Sequence, residues 1–251
     1  CVLITGCARG IGFGLVDALA KRGDKVIATC RDPLASKAAA LQELQQKYKE
    51  NIRVVALDTS KEESVKQCLA AVERLDWFAD GKGSIDYLMN SAAVQLDKDH
   101  VVSSPMTLSF ADLMSTMETN VGGPLLVTQS FLPLLRKSSR PISLYISSNA
   151  ASCEFISTFH CVEQVSGYAM SKAALNMFVA LCERMPEGKG VIFLAVHPGW
   201  VKTDMGRGVW GEPPTTVEES AAGLINICDT ATPEMNGKFF THDGKLYEVP
   251  K

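Results

Sequence analysis

The pattern Tyr168-x-x-x-Lys172 is the strongest indication of chemistry in this sequence. Residues four apart share one face of a helix, so a helix here would place the phenol beside the ammonium group. A nearby positive charge favours phenolate and lowers the pKa of a tyrosine from its ordinary value of about 10. Such a phenol can exchange a proton with a carbonyl or hydroxyl oxygen. Taken alone, the pattern also arises by chance as an exposed aromatic–lysine pair.

A second group of residues has the composition of a phosphate-binding loop. Thr5-Gly6-x-x-x-Gly10-x-Gly12 follows an apolar strand-like run and precedes a helical pattern. Glycines permit a tight turn and let backbone N–H groups approach a pyrophosphate at the positive end of the helix dipole. This strand–turn–helix context favours a dinucleotide site, and the alternative is a glycine-rich turn with no ligand.

The choice between NAD and NADP depends on the end of the second predicted strand. An acidic residue there would bind the ribose 2′-hydroxyl of NAD. The strand ends in Cys30-Arg31-Asp32, where the planar guanidinium of Arg31 can pair with a 2′-phosphate. Arg9, inside the glycine loop, can add a second positive contact. We therefore predict NADP(H), whereas NAD would be the cofactor if Asp32 rather than Arg31 faced the ribose.

The elements that must position these residues alternate between strands and helices. Nearly continuous apolar runs, typical of strands buried on both faces, occur at 1–5, 25–30, 52–57, 85–90, 142–147, 191–197 and 238–241. Helical patterns lie between them, and Ser60-x-x-Glu63 predicts a capping box at the start of one helix. The alternation predicts a single α/β domain over residues 1–251, with a doubly wound, Rossmann-type parallel sheet of about seven strands and helices on both faces.

Together these motifs resemble the short-chain dehydrogenase/reductase family over almost the whole chain. Ser148, at the end of the fifth predicted strand, is similar to the family's catalytic serine, and Tyr168 and Lys172 are similar to its catalytic pair. Asn120 is similar to the asparagine associated with a proton relay. Within the family, Asn120-Val-Gly-Gly-Pro-Leu-Leu and His197-Pro-Gly-Trp-Val-Lys-Thr-Asp-Met most resemble the C-factor/Sniffer-like carbonyl reductases.

The resemblance also implies a set of residues around the dinucleotide. Asp58 matches the acidic residue that touches the adenine, and Asn90-Ser-Ala-Ala resembles the family's N-N-A-G motif. Pro198-Gly199 and Thr203 resemble the stretch that holds the nicotinamide carboxamide. The predicted cofactor-binding residues are Thr5, Gly6, Arg9, Gly10, Ile11, Gly12, Arg31, Asp58, Asn90, Ala92, Tyr168, Lys172, Pro198, Gly199, Val201 and Thr203.

The chain departs from the family pattern between Ser148 and Tyr168. Their separation of 20 residues is longer than is usual in the family, and the additional residues fall within 153–165. We expect this segment to lie beside the active site and to reshape the substrate pocket. The loop after Thr203 is predicted to form a mobile apolar lid, the alternative being an ordinary surface loop. The apolar residues of that loop are Met205, Val209 and Trp210.

Composition limits the class of partner. A net charge of -3 predicts no nucleic-acid partner, and no apolar run is long enough to predict a membrane span. The eight cysteines lack C-x-x-C spacing, which predicts reduced thiols in a cytoplasmic protein and no metal site. The resemblance implies a homodimer or homotetramer formed through the helix of Tyr168, although relatives with an insertion before the tyrosine can be monomers.

The sequence therefore predicts an NADP(H)-dependent oxidoreductase acting on a small carbonyl or alcohol substrate. Reduction of an aldehyde or ketone is favoured, with Tyr168 as the general acid/base. One alternative is a non-catalytic NADP(H)-binding sensor or scaffold on the same fold. The complete set of Asn120, Ser148, Tyr168 and Lys172 argues against it, because a sensor does not need all four. An NAD-dependent alcohol dehydrogenase is the other alternative.

Overall fold

A parallel sheet forms the centre of the protein, for which a computed structural model describes residues 1–78, 80–96, 104–158, 165–207 and 211–247. Its strands within these residues are β1 (Val2–Ile4), β2 (Val26–Cys30), β3 (Ile52–Ala56), β4 (Tyr87–Asn90), β5 (Ile142–Ile146), β6 (Ile192–His197) and β7 (Phe239–Thr241). All pair in parallel, in the order β3-β2-β1-β4-β5-β6-β7. The predicted seven-stranded parallel sheet is confirmed.

Helices connect the strands and cover both faces of the sheet. They are α1 (Gly10–Arg22), α2 (Ala39–Lys47), α3 (Glu62–Glu73), α4 (Phe110–Met117), α5 (Gly123–Leu135), α6 (Cys153–Thr158), α7 (Ser166–Arg184) and α8 (Val217–Thr230). A π-helical turn at Glu118–Gly122 separates α4 from α5.

Alternate residues of each strand point to opposite faces, so the sheet has two cores. In β1, Val2 and Ile4 pack in the core with α1, α2 and α8, whereas Leu3 packs with α3 and α5. A further cluster around Tyr145 and Phe193 packs against α7. Helices α1, α2 and α8 therefore cover one face, and α3, α5 and α7 cover the other. The doubly wound arrangement explains why the strands are apolar along their whole length.

The strand order reverses beside β1, which pairs with β2 on one side and with β4 on the other. In open α/β sheets, ligands bind outside the carboxyl ends of the strands at such a reversal. The residues that follow β1, β2 and β4 are therefore brought together by topology alone.

The predicted capping box at the start of α3 is wrong. The N-cap of α3 is Lys61, which makes no side-chain cap bond. Ser60 instead donates from its N–H and its Oγ to Asp58 Oδ1, at 3.1 and 2.8 Å. Asp58 offers a nearer acceptor, and Ser60 therefore does not turn toward the helix. A capping box does form before α8, between Thr216 and Glu219.

Three further properties concern the described part of the chain. None of its helices is long and apolar enough to cross a membrane. It holds no group of three His, Cys, Asp or Glu side chains arranged to bind a metal ion. The seven cysteines that fall in it are all free thiols.

Candidate active site

A cavity of about 930 Å³ opens at the carboxyl ends of the strands, and most of the predicted site residues line it. Its walls come from the loop after β1, the ends of the next strands, α7 and the segment after β6. The predicted residues in its wall are Gly6, Arg9, Gly10, Ile11, Gly12, Arg31, Asp58, Ala92, Ser148, Tyr168, Lys172, Pro198, Gly199, Val201 and Thr203. Thr5, Asn90 and Asn120 are buried behind this wall.

The glycine loop has the geometry of a phosphate cradle. Gly6 and Gly10 adopt positive φ angles of 74° and 62°. A Cβ on Gly12 would lie 2.4 Å from the carbonyl oxygen of Gly6, so the turn closes too tightly for a side chain. Arg9 is the N-cap of α1 and makes no side-chain cap bond, which leaves the first-turn N–H groups to a ligand. These features fit the pyrophosphate of a dinucleotide.

Thr5 supports this loop from below. Its hydroxyl oxygen accepts hydrogen bonds from the N–H groups of Ser91 and Ala92, both at 3.0 Å. The loop after β1 is thereby tied to the segment after β4. Asn90 makes no comparable contact: its amide atoms are buried and have no hydrogen-bond partner among the described residues. The predicted cofactor contacts of Thr5 and Asn90 stay predictions.

Two arginines bring positive charge to the cavity. Arg31 is exposed and lines the wall, while Asp32 lies outside it and accepts the N–H of Leu34 at 2.9 Å. Arg9 Nη1 bonds Asp204 Oδ2 at 2.7 Å, an exposed ion pair that joins the glycine loop to the segment after β6. Arg9 and Arg31, the two side chains predicted to bind the 2′-phosphate, therefore both reach the cavity. Arg9 already forms an ion pair with Asp204.

Lys172 is buried behind Tyr168, with only 2% of its surface exposed. Its Nζ donates to the carbonyl oxygen of Ile146 at 2.6 Å and lies 5.4 Å from the ring centroid of Tyr168. The described residues place no carboxylate in an ion pair with it. Burial disfavours the charged form and lowers the pKa of Lys172 to about 7. The lysine can therefore take up or release a proton near neutral pH.

Polar contacts fix α7, the helix that carries Tyr168 and Lys172. Asn120, in the π-helical turn, donates from Nδ2 to Ser171 Oγ at 3.0 Å and to Val94 O at 2.8 Å. Ser171 Oγ in turn donates to the carbonyl oxygen of Tyr168 at 2.7 Å. Both amide protons of Asn120 are used in this way. The asparagine therefore joins the loop after β4 to the catalytic helix.

Ser148 follows β5 and lies in the same wall as Tyr168 and Lys172. Its Oγ accepts the N–H of Ala150 at 3.1 Å and donates to Asn149 Oδ1 at 3.2 Å. The structure therefore brings together a hydroxyl, a phenol and a buried amine. Such a set can polarise a carbonyl oxygen and exchange a proton with it.

Apolar side chains from two segments also line the cavity. Phe155 of α6 and Val165 line it, so the additional residues before Tyr168 do lie beside the site. Trp200 and Met205 line it from the segment after β6, and Trp200 Nε1 donates to Gly206 O at 2.7 Å. Val209 and Trp210, the other apolar residues of the loop after Thr203, and residues 159–164 of the additional segment lie outside the described residues.

His197 lies in the cavity wall although it is not among the predicted site residues. It ends β6 and lines the cavity, and its Nδ1 accepts the N–H of Asn149 at 3.3 Å. Burial, helped by the adjacent His242, lowers the pKa of His197 to about 4. One signal was available in the sequence, since His197 directly precedes Pro198-Gly199 at the carboxyl end of a strand.

Comparisons with known proteins agree with this geometry. The family model described as short chain dehydrogenase matches residues 1–213. An uncharacterized oxidoreductase of Saccharomyces cerevisiae is 37% identical, over 96% of this chain and 94% of its own. The NADPH-bound carbonyl reductase from chicken fatty liver is 31% identical, with a TM-score of 0.88 over 99% of this chain and 98% of that one. The carbonyl reductase Sniffer of D. melanogaster is 25% identical, with a TM-score of 0.85 and the same coverage.

The buried amine of Lys172 is expected to lower stability in a pH-dependent way. Its folded-state pKa of about 7 lies below the ordinary value of 10.5, so the unfolded chain binds more protons between these values. The destabilisation is complete below about pH 7 and disappears as the pH rises toward 10.5. Lys172→Met should therefore unfold at a higher temperature than the wild type at pH 6.5, by about 2–4 °C for each 1 kcal/mol relieved.

Calorimetry of the cofactor-free protein at several pH values provides the measurement. The advantage of Lys172→Met should shrink steadily between pH 7 and 10. Lys189→Met is a suitable control, because Lys189 is exposed and its replacement should leave the pH profile unchanged. A Lys172→Met variant that melts below the wild type at every pH would contradict the predicted destabilisation.

Proposed function

The chain belongs to the short chain dehydrogenase family, and we propose that it transfers a hydride between NADP(H) and a carbonyl or alcohol substrate, with reduction favoured. The observation that carries this proposal is the shared cavity wall of Ser148, Tyr168 and Lys172, beside the glycine loop and Arg31. A sensor would need the loop but not the three polar groups. The carbonyl reductases among the structural relatives support the same choice.

In the proposed mechanism, the substrate oxygen lies against Tyr168 and Ser148. The hydroxyl of Ser148 turns its proton from Asn149 Oδ1 to that oxygen, and Tyr168 Oη transfers a proton to it as negative charge develops. NADPH, when bound, supplies the hydride. Lys172 stays near the Tyr168 ring because Ile146 O accepts one of its Nζ protons. Its charge there favours phenolate, and its pKa of about 7 suits it to pass a proton to Tyr168 at neutral pH.

Asn120 acts in this mechanism chiefly by holding α7. Its amide protons are both donated, to Val94 and Ser171, so its side chain has no further proton to offer to a water molecule. We propose that Asn120 links Lys172 to solvent through water, and such a water would have to donate to an oxygen of Asn120 rather than accept from its amide.

The cofactor preference for NADP(H) is supported by the orientation of the second strand's end. Arg31 faces the cavity, whereas Asp32 is held outside it by the N–H of Leu34. In this arrangement Arg31 can donate a charge-assisted hydrogen bond to the 2′-phosphate of NADP. Asp32 is not in place to accept a hydrogen bond from the ribose 2′-hydroxyl of NAD. The free thiols of the described cysteines are compatible with a reducing, cytoplasmic environment.

The pocket near Ser148 favours an apolar aldehyde or ketone. Phe155, Val165, Trp200 and Met205 present mostly hydrocarbon surface to the cavity. Burial of a substrate's apolar part contributes about 25 cal/mol for each Å² removed from water. A substrate with one carbonyl and an apolar body therefore matches the polar groups of Ser148 and Tyr168 as well as these apolar residues.

Tyr168→Phe should lower kcat for carbonyl reduction by about 10²–10⁴-fold, because the proton donor is lost while the ring remains. The measurement is the loss of NADPH absorbance with a panel of aldehydes, ketones and quinones. NADPH binding by the variant, followed by fluorescence titration, should stay within about threefold of the wild type. A variant as active as the wild type would refute the role of Tyr168. Tight NADPH binding by a wild type that reduces nothing would favour the sensor.

Arg31→Met should weaken NADPH binding by about tenfold, the equivalent of one charge-assisted hydrogen bond of about 1.5 kcal/mol. NADH lacks the 2′-phosphate, so its dissociation constant should change by less than about twofold. Arg74→Met is the matched control, since Arg74 is exposed and lies outside the cavity wall. Equal weakening of NADPH and NADH binding in Arg31→Met would show that Arg31 does not recognise the phosphate.

We further propose a homodimer formed across α7. Met177 and Leu181 lie on this helix, C-terminal to Lys172, with 61% and 51% of their surfaces exposed, and together they form an apolar stripe. Analytical ultracentrifugation at micromolar concentration should show a dimer for the wild type. Met177→Glu places a charge on the stripe and should shift the protein to monomer. A monomeric wild type would contradict this proposal.

A further inference from the structure

The hydroxyl of Ser148 is positioned by a short turn rather than by direct contact with another element. Ser148 Oγ bonds Ala150 and Asn149, which are its own neighbours in the 3₁₀ turn Asn149–Ala151. The direction of the hydroxyl therefore depends on how that turn is attached to the rest of the protein.

The turn is attached on its N-terminal side by Ser147. The N–H of Ser147 donates to Val196 O at 2.8 Å, and its Oγ donates to Asn176 Oδ1 at 2.6 Å. Ser147 is completely buried. One end of the turn is thus fixed both to β6 and to the catalytic helix α7.

A second attachment, at the first residue of the turn itself, is made by His197. The N–H of Asn149 donates to His197 Nδ1 at 3.3 Å, between residues 48 apart in the chain. A ring nitrogen accepts a hydrogen bond only when it carries no proton, so Nδ1 must be the bare nitrogen of the imidazole. The surroundings favour this state, because burial and His242 oppose a positive charge on the ring.

We propose that His197 is a positioning residue for Ser148, acting through the peptide N–H of Asn149. The inference rests on the proposed function, in which Ser148 donates to the substrate oxygen. Without the imidazole acceptor, the half-buried N–H of Asn149 loses its partner and the turn loses its attachment to the end of β6 through this N–H. The hydroxyl then meets the substrate oxygen less well in the transition state, where small displacements reduce the rate.

Three substitutions separate this role from general packing. Asn places a side-chain oxygen near the position of Nδ1, Gln places one nearer to that of Nε2, and Leu retains volume without an acceptor. We expect His197→Leu and His197→Gln to lose about tenfold in kcat, and His197→Asn to stay within about threefold of the wild type. The dissociation constant of NADPH and KM should change by less than about threefold in all three.

A second readout does not depend on turnover. NMR of the imidazole nitrogens in the cofactor-free wild type should show an unprotonated Nδ1 and a protonated Nε2 at pH 7. Melting temperatures of the variants establish that each is folded. If His197→Leu does not fold, His197→Gln, which keeps a polar side chain, carries the comparison with His197→Asn.

The outcomes distinguish a failure of the role proposed for His197 from a failure of the proposed function. Wild-type kcat in His197→Leu, equal losses in His197→Asn and His197→Gln, or a protonated Nδ1 would each overturn the role of His197. Inactivity of the wild type on the whole panel would refute the proposed function, and the state of Nδ1 would still decide whether His197 holds the turn. Rescue by Asn alone, with an unprotonated Nδ1, would support the inference.

Discussion

The hydrogen bond from Lys172 Nζ to Ile146 O, 2.6 Å long and almost completely buried, joins α7 to the last residue of β5. An amine buried this deeply has lost its hydration water, so a hydrogen bond to a carbonyl oxygen stabilises it there. The end of a parallel strand provides one, because its last carbonyl has left the ladder. The contact holds the Lys172 amine at a fixed place behind the cavity wall, 5.4 Å from the ring centroid of Tyr168.

Around that contact, polar side chains connect the elements of the site, in addition to the apolar packing of α7 on the sheet. Asn120 connects α7 to the loop after β4, and Asn176 connects α7 to the residue before Ser148. Thr5 connects the loops after β1 and β4. Hydrogen bonds specify direction as well as proximity, whereas apolar contacts specify mainly volume. The apolar cores hold the sheet and helices together, and the polar contacts set the angles at which the reacting groups face the cavity.

The sequence predicted well whatever depends on local pattern. Buried parallel strands are apolar along their length, so all seven were located, and the glycine loop followed from the need for positive φ at Gly6 and Gly10. Interactions between distant segments were not visible in the same way. His197 had no pattern of its own, because its partner Asn149 is 48 residues away. The local capping-box pattern before α3 was also misleading, because the hydroxyl of Ser60 bonds the nearby carboxylate of Asp58 instead of capping the helix.

The ion pair between Arg9 and Asp204 has a consequence for how a dinucleotide enters and leaves. Because Arg9 already has an acidic partner, a phosphate that reaches it exchanges one anion for another instead of meeting a bare cation. The net electrostatic gain is the difference between two similar contacts, and an exposed pair of this kind contributes only about 0–1 kcal/mol. The contact proposed between Arg9 and a phosphate therefore contributes little to the net free energy of dinucleotide binding, because it replaces an ion pair that already exists.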